Sequence, residues 1–202
     1  MFICKQQAAS YYNMDEDSEE IEEIVPNVKR AAPNILITGT PGVGKSTLCQ
    51  KLAETTGLQW LEISKIAKEY NCLEEYDEVY QCPVLDEDKL MDGLEQVMSK
   101  GGNIVDYHSC EFFPERWFDV VFVLRADNTT LFDRLTSRGY SGKKLEDNVQ
   151  CEIFQVILDE AKMSYKENII HELSSTTPEE LQENINRICL WLQQWFQDNQ
   201  YT

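Results

Sequence analysis

The hydrophobic pattern divides the chain near Asn34. Before that point the run "DEDSEEIEE" (Asp15–Glu23) is a block of like charge with little to bury, and Pro26 and "AAP" follow it, so residues 1–33 are expected to be a disordered acidic arm. From Asn34 short apolar runs alternate with helical periodicity. "NILIT" (Asn34–Thr38) predicts a buried strand, and "KSTLCQKLAETTG" (Lys45–Gly57) places Leu48, Leu52 and Ala53 at helical spacing and stops at a glycine. "LQWLEIS", "NIVDYH" (Asn103–His108) and "VVFVLRA" (Val120–Ala126) predict further strands, the last two continuous in apolar character as in a sheet covered on both faces. Helices are expected over Asp86–Lys100, Asn128–Arg138 and Asn148 to about Glu172. A last helix opens at Pro178 and presents Leu181, Ile185, Ile188, Leu192 and Trp195 on one face, with Trp191 and Phe196 flanking it as core or as a partner surface. Strands alternating with helices predict an α/β fold with a parallel sheet, spanning residues 34–202 as one domain.

Composition narrows the function classes. Of 202 residues, 36 are acidic and 18 basic, a formal charge of −18, which repels polyphosphate chains and argues against broad nucleic-acid binding. The same charge either attracts a basic protein partner or serves solubility. No stretch approaches the roughly 18–20 continuous apolar residues of a membrane helix, and the N-terminus lacks an apolar core before a cleavage site. The protein is expected to be soluble, intracellular and monomeric. Seven scattered cysteines, with no C-x-x-C pair and two histidines in the chain, point to reduced thiols and not to a zinc site.

The chemistry concentrates after the first strand. Gly39, four residues, Gly44, Lys45 and Ser46 fit G-x-x-x-x-G-K-[ST] between a strand and a helix, the P-loop pattern whose backbone N–H groups cradle phosphates. Lys45 is placed to bridge the β and γ oxygens, Ser46 to ligate Mg²⁺ and Thr47 to bond the α-phosphate. Asp106, at the end of a buried strand, is the matching carboxylate for the magnesium shell, or else caps the next helix. His108 lies two residues on and either orients a water or acceptor oxygen or is structural. Arg125 is a candidate substrate contact; Arg134 and Arg138, one helical turn apart, either neutralise transferring phosphate or form surface ion pairs. "GYSGKKLEDN" reads as a closing flap or an idle loop, with Lys143 and Lys144 near the phosphates in the first case. The polar insertion between Glu62 and Leu85 is either a second-substrate site or a peripheral helical hairpin.

"NILITGTPGVGKST", "IVDYHSCEFFPERWFDVVFVLR", "RLTSRGY" and "KKLEDNVQCEIFQV" together resemble the nuclear adenylate kinase isoenzyme 6 family, from Asn34 to the C-terminus. That resemblance implies a P-loop NTPase three-layer fold with a small NMP-binding insertion at 62–85 and a short lid at 137–147. It implies Mg²⁺ and ATP, AMP or another NMP as acceptor, and an accompanying ATPase activity. It also implies a nuclear address with a cytoplasmic pool, and a role in small-ribosomal-subunit maturation through a basic ribosomal protein. ATP contacts would fall on Gly42, Val43, Gly44, Lys45, Ser46, Thr47, Arg138 and Thr177, with His108 organising water or acceptor. Two departures stand out. "IAKE" puts Lys68 where the family often has an arginine against the AMP phosphate, and the loop at Thr177 lacks the usual lysine, which leaves only a backbone contact there.

Overall fold

The computed structural model describes residues 30–77 and 82–199. Five parallel strands form the central sheet in the order β2-β5-β1-β6-β7: β1 (Ile35–Thr38), β2 (Gln59–Glu62), β5 (Asn103–Asp106), β6 (Val120–Arg125) and β7 (Ile170–Ser174). A separate antiparallel pair, β3 (Leu73–Asp77) and β4 (Cys82–Leu85), lies in the insertion. The helices are α1 (Lys45–Thr56), α2 (Ile63–Glu69), α3 (Glu87–Lys100), α4 (Asn128–Ser137), α5 (Gly142–Ile153), α6 (Val156–Ser164) and α7 (Pro178–Asn199).

Period-two alternation along β1 explains the three layers. Ile35 and Ile37 face a core shared with Leu48 and Leu52 of α1, Leu131 and Leu135 of α4, and Ile185 and Ile188 of α7. Leu36 faces the opposite core, with Leu90, Leu94 and Met98 of α3 and Ile157 and Ala161 of α6. β1 is central, and the chain leaves it toward β2 on one side and later returns to β6 on the other. This opens a crevice at its carboxyl end, where parallel α/β sheets bind ligands.

Buried polar groups fix the opposite end of β1. The Asn34 side chain, fully buried, donates to the Met98 and Trp117 carbonyls at 2.8 and 2.9 Å and accepts from Asn103 N and Nδ2 at 3.1 and 2.8 Å. All four of its hydrogen-bonding positions are filled, as burial demands. Arg30 pairs with Asp119 at 2.9 Å and donates to the Arg116 and Trp117 carbonyls, so residues 30–33 belong to the folded body, a correction to the arm's expected boundary. Residues 1–29 lie outside the described residues, and the expected disorder there with them.

The predicted elements at β1, α1, β5, β6, α3, α4 and α7 are present within a residue or two at most boundaries. α7 begins with a reciprocal cap: Glu180 N donates to Thr177 Oγ1 at 3.2 Å, and Thr177 N donates to Glu180 Oε2 at 3.1 Å. Its stripe is buried as expected at Ile185, Ile188 and Leu192, and Trp191 packs edge-on against Phe122, which assigns it to the core.

The helix expected from Asn148 to about Glu172 is instead two helices, a 3-10 turn (Glu167–Ile169) and a strand. α5 starts six residues earlier, breaks at Gln155 in the left-handed region (φ 59), and resumes as α6 to Ser164, after which the chain extends into β7. β7 is an edge strand whose single fully covered residue is Leu173, so it leaves little hydrophobic signature. The insertion is not a helical hairpin either, because α2 is followed by the β3–β4 ribbon, with Pro83 tolerated in a two-strand pair. Among the described residues no helix is long and apolar enough to cross a membrane, and no group of three or more His, Cys, Asp or Glu is placed to hold a metal ion.

Candidate active site

The loop Gly39–Gly44 joins β1 to α1 at the crevice. Gly39 (φ 140) has no room for a side chain, because a Cβ there would collide with the Leu124 carbonyl oxygen of β6. Gly42 (φ 101) is packed against α4, where a Cβ would stand 2.8 Å from Leu131 Cδ1. Both positions therefore demand glycine for conformation and for space. The result is a loop pressed into the fold, with its inner rim lining a cleft of about 170 Å³ together with Lys45, Ser46, Asp106, His108 and Arg138.

Lys45 is 9% exposed, and its Nζ donates to the Gly39 carbonyl at 2.6 Å and the Thr40 carbonyl at 3.1 Å. Burial pushes its pKa from 10.5 down to about 8, opposed by the nearby Asp106 carboxylate. Arg138, at the end of α4, adds to the lowering, which puts its charge within reach of the same cleft.

Strand register brings Asp106 to this point: it pairs with Ile37 of β1 on one side and Glu62 of β2 on the other. It is 4% exposed, and its Oδ2 is buried without a hydrogen-bond partner. Burial raises its pKa, while Lys45, the Ser46 hydroxyl and the Trp60 indole favour the ionised form and Glu62 opposes it. A buried carboxylate oxygen with nothing to bond, beside a P-loop hydroxyl, fits a hydrated divalent cation.

A second cleft of about 330 Å³ adjoins the first along Gly42, Gly44, Thr47 and Arg138 and extends to Val43, Arg134, Ser175, Thr177 and Leu181. Arg134 and Arg138 therefore part company. Arg134 donates to the Ser175 and Thr176 carbonyls at 2.9 and 2.7 Å and to Val43 O at 3.5 Å, so it is a strut of the loop before α7 and does not line the phosphate cleft. Arg138 lines both clefts.

Other expected residues fall elsewhere. Arg125, expected as a substrate contact, is bound to Glu152 at 2.6 Å and Glu172 at 3.2 Å and lines neither cleft. Lys68 is exposed on α2 and also lines neither cleft. The flap expected at 137–147 is a turn through Gly139 (φ 82) that feeds directly into α5. Lys143 is paired with Asp147 at 2.6 Å, and Lys144 sits over the Tyr140 ring at 5.2 Å.

Three polar residues escaped the sequence reading. Glu62 and Ser64 line the phosphate cleft from the insertion side. Glu152, 1% exposed, reaches the loop from α5. Glu62 had a legible signal, as a polar strand end beside the second-substrate insertion; Glu152 had none beyond its place in "QCEIFQV".

A family model described as AAA domain matches residues 35–155. A Drosophila melanogaster protein, "Adenylate kinase isoenzyme 6 homolog", is 55% identical over 175 residues, covering 87% of this chain and 98% of the relative. The chain belongs to the adenylate kinase isoenzyme 6 family. A homolog of the same name from Dictyostelium discoideum is 51% identical over 86% of this chain and 99% of its own length. The Caenorhabditis elegans homolog is 54% identical over 79% and 89%. Among solved structures, a shikimate kinase from Acinetobacter baumannii superposes with a TM-score of 0.56 at 15% identity, over 86% of this chain and 97% of that one. That likeness speaks to the fold: the three-layer P-loop architecture outlasts the sequence. In the isoenzyme 6 family member described here, the loop, Lys45 and Asp106 occupy the mouth of that architecture.

Proposed function

We propose that the protein is a nucleoside monophosphate kinase that transfers the γ-phosphoryl group of ATP to AMP, with an accompanying ATPase activity. The observation that carries this reading is the convergence of Lys45 and Asp106 on one cleft at the end of β1. The triphosphate lies along the loop, and the Lys45 ammonium leaves the Gly39 and Thr40 carbonyls for the β and γ oxygens. Gly42, Val43, Gly44, Ser46 and Thr47 offer backbone or hydroxyl groups, and Arg138 meets the charge that builds on the transferred group. Thr177 borders the second cleft, which suits the nucleobase. Mg²⁺, held by Ser46 and Asp106, would supply charge neutralisation across the phosphates. The acceptor enters from the side of Glu62 and Ser64, so residues 62–85 act as the NMP-binding region and 137–147 as a lid whose hinge is Gly139. Positioning does most of the work, because phosphoryl transfer asks little covalent chemistry of the protein.

A second reading, a nucleotide-driven assembly factor for the small ribosomal subunit acting on a basic ribosomal protein, draws on two features. The formal charge of −18 favours a basic partner, and His108 lines the cleft two residues beyond Asp106, where it can orient water. A nuclear address with a cytoplasmic pool accords with that role. Measuring ADP formation with and without AMP, and then with a basic ribosomal protein, separates the readings. Stimulation by AMP supports the kinase; stimulation by the protein alone transfers the weight to the ATPase. In the same assay His108→Ala is expected to reduce hydrolysis several-fold more than AMP phosphorylation, and equal losses would reject a water-orienting role.

Lys45 also predicts a proton linkage. In the empty site its pKa is about 8, and a bound triphosphate raises it by adding negative charge. Binding should therefore take up roughly one proton at pH 9, where the free amine is mostly neutral, and about a tenth of one at pH 7. Calorimetry in buffers of different ionisation enthalpy reads this directly; uptake that does not grow with pH would contradict it.

A further inference from the structure

The P-loop is tied to α5 by a side-chain contact that the motif does not contain. Thr40, 1% exposed, donates its hydroxyl to Oε2 of Glu152 at 2.5 Å. The other carboxylate oxygen, Oε1, accepts from Arg125 Nε at 2.6 Å and from the Ala126 backbone N–H at 3.1 Å. Arg125 also donates through Nη2 to the Glu152 carbonyl at 3.0 Å. One buried carboxylate thus collects three donors, from the P-loop, from the side chain ending β6 and from the backbone just beyond it. Burying that charge is tolerable because a guanidinium and two further donors saturate it.

Two roles are open to such a group. As a strut, it would join α5 to β6, and the Arg125 contacts alone would suffice for that. The Thr40 contact is surplus to a strut, and it falls on the residue whose carbonyl, with that of Gly39, holds the Lys45 ammonium. The Gly39–Thr40 peptide is therefore clamped from two directions: by β6, which leaves no room for a Cβ at Gly39, and by Glu152 through the Thr40 hydroxyl. A loop that must present several N–H groups to one anion gains affinity when its conformation is fixed beforehand.

We infer that Glu152 is a positioning residue for the triphosphate: through Thr40 it holds the P-loop in its binding shape and makes α5 part of the nucleotide site. The inference deepens the kinase reading and rests on it. It also gives the turn at Gly139 a mechanical meaning, since α5 begins just beyond that turn and ends on the P-loop.

Thr40→Val tests the clamp, because it removes the hydroxyl at nearly constant shape and leaves the Arg125–Glu152 pair in place. The Kd for ATP, measured by calorimetry, and the KM values for ATP and AMP are expected to diverge. Kd and KM for ATP should rise about tenfold, the scale of losing one hydrogen bond to a buried charge, while KM for AMP stays within twofold. Thr40→Ser should restore the parent values. Glu152→Gln should weaken ATP binding as well, and Thr40→Val with Glu152→Gln should be no weaker than the poorer single variant, because both cut one interaction. Should Glu152→Gln fail to fold, the Thr40 pair still decides. A Thr40→Val protein that binds ATP as the parent does would overturn the clamp and leave the kinase reading intact. A parent protein that does not bind ATP would overturn the triphosphate reading itself, and the clamp with it.

Discussion

Lys45→Met should lower ATP consumption by about 10²–10³-fold, the scale seen when one preorganised donor to developing charge is removed. The side chain is already in place: buried, its ammonium rests on two loop carbonyls in the same cleft as Asp106. Moving it from those carbonyls to phosphate oxygens exchanges neutral acceptors for charged ones, which strengthens each bond. Methionine keeps much of the length and apolar bulk but removes the charge and the two hydrogen bonds to the Gly39 and Thr40 carbonyls, while the Thr40–Glu152 contact and the packing of Gly39 against β6 still hold the loop. Near-parent circular dichroism with turnover reduced at least a hundredfold is the expected pair of results. Parent-like turnover and ATP affinity would remove the basis for reading this loop as a phosphate site.

Asp106→Asn should produce a comparable loss of turnover, about 10²–10³-fold, with the opposite effect on stability from a typical core polar change. The carboxylate is raised above its ordinary pKa chiefly by burial, with Lys45 only partly offsetting it. For an acid whose folded-state pKa exceeds the unfolded one, the charged form penalises folding at neutral pH, and the penalty fades as pH falls toward the unfolded value. Asparagine carries no such penalty. Its melting temperature should therefore match or exceed the parent's at pH 7, with the difference shrinking near pH 4. Its response to Mg²⁺, read as a metal-dependent shift in melting temperature, should also be lost. A variant that loses both stability and activity would mean that Asp106 is a structural partner of Lys45 before it is anything else.

These effects define what was legible beforehand. The P-loop is local as a motif: Gly39 through Thr47 are contiguous and its glycines take positive φ, although the crowding that also demands glycine at Gly39 and Gly42 comes from Leu124 and Leu131, far along the chain. Asp106 was legible because buried parallel strands end where chemistry begins, and β5 is continuous enough in apolar character to mark its own end. Helical spacing puts Arg134 one turn from Arg138 without revealing that the carbonyls of Ser175 and Thr176 accept its hydrogen bonds. Those carbonyls belong to the turn after β7, an edge strand too weakly patterned to be seen. Missing β7 thus concealed what holds Arg134.

The same logic separates Arg125 from Glu152. An arginine at the end of a central strand invites a substrate reading, and nothing nearby in the chain names its partner. The partner is 27 residues away on α5, and it connects onward to Thr40, 112 residues from itself.

The amino-acid order alone therefore determined the layer architecture, the phosphate loop and the carboxylate at its mouth. Each depends on hydrophobic period or on backbone constraints acting over a few residues. Tertiary structure decided which charges remain available to a ligand. A buried guanidinium or carboxylate is claimed by the nearest complementary group in space, and helix packing across the sheet sets that distance, not separation along the chain.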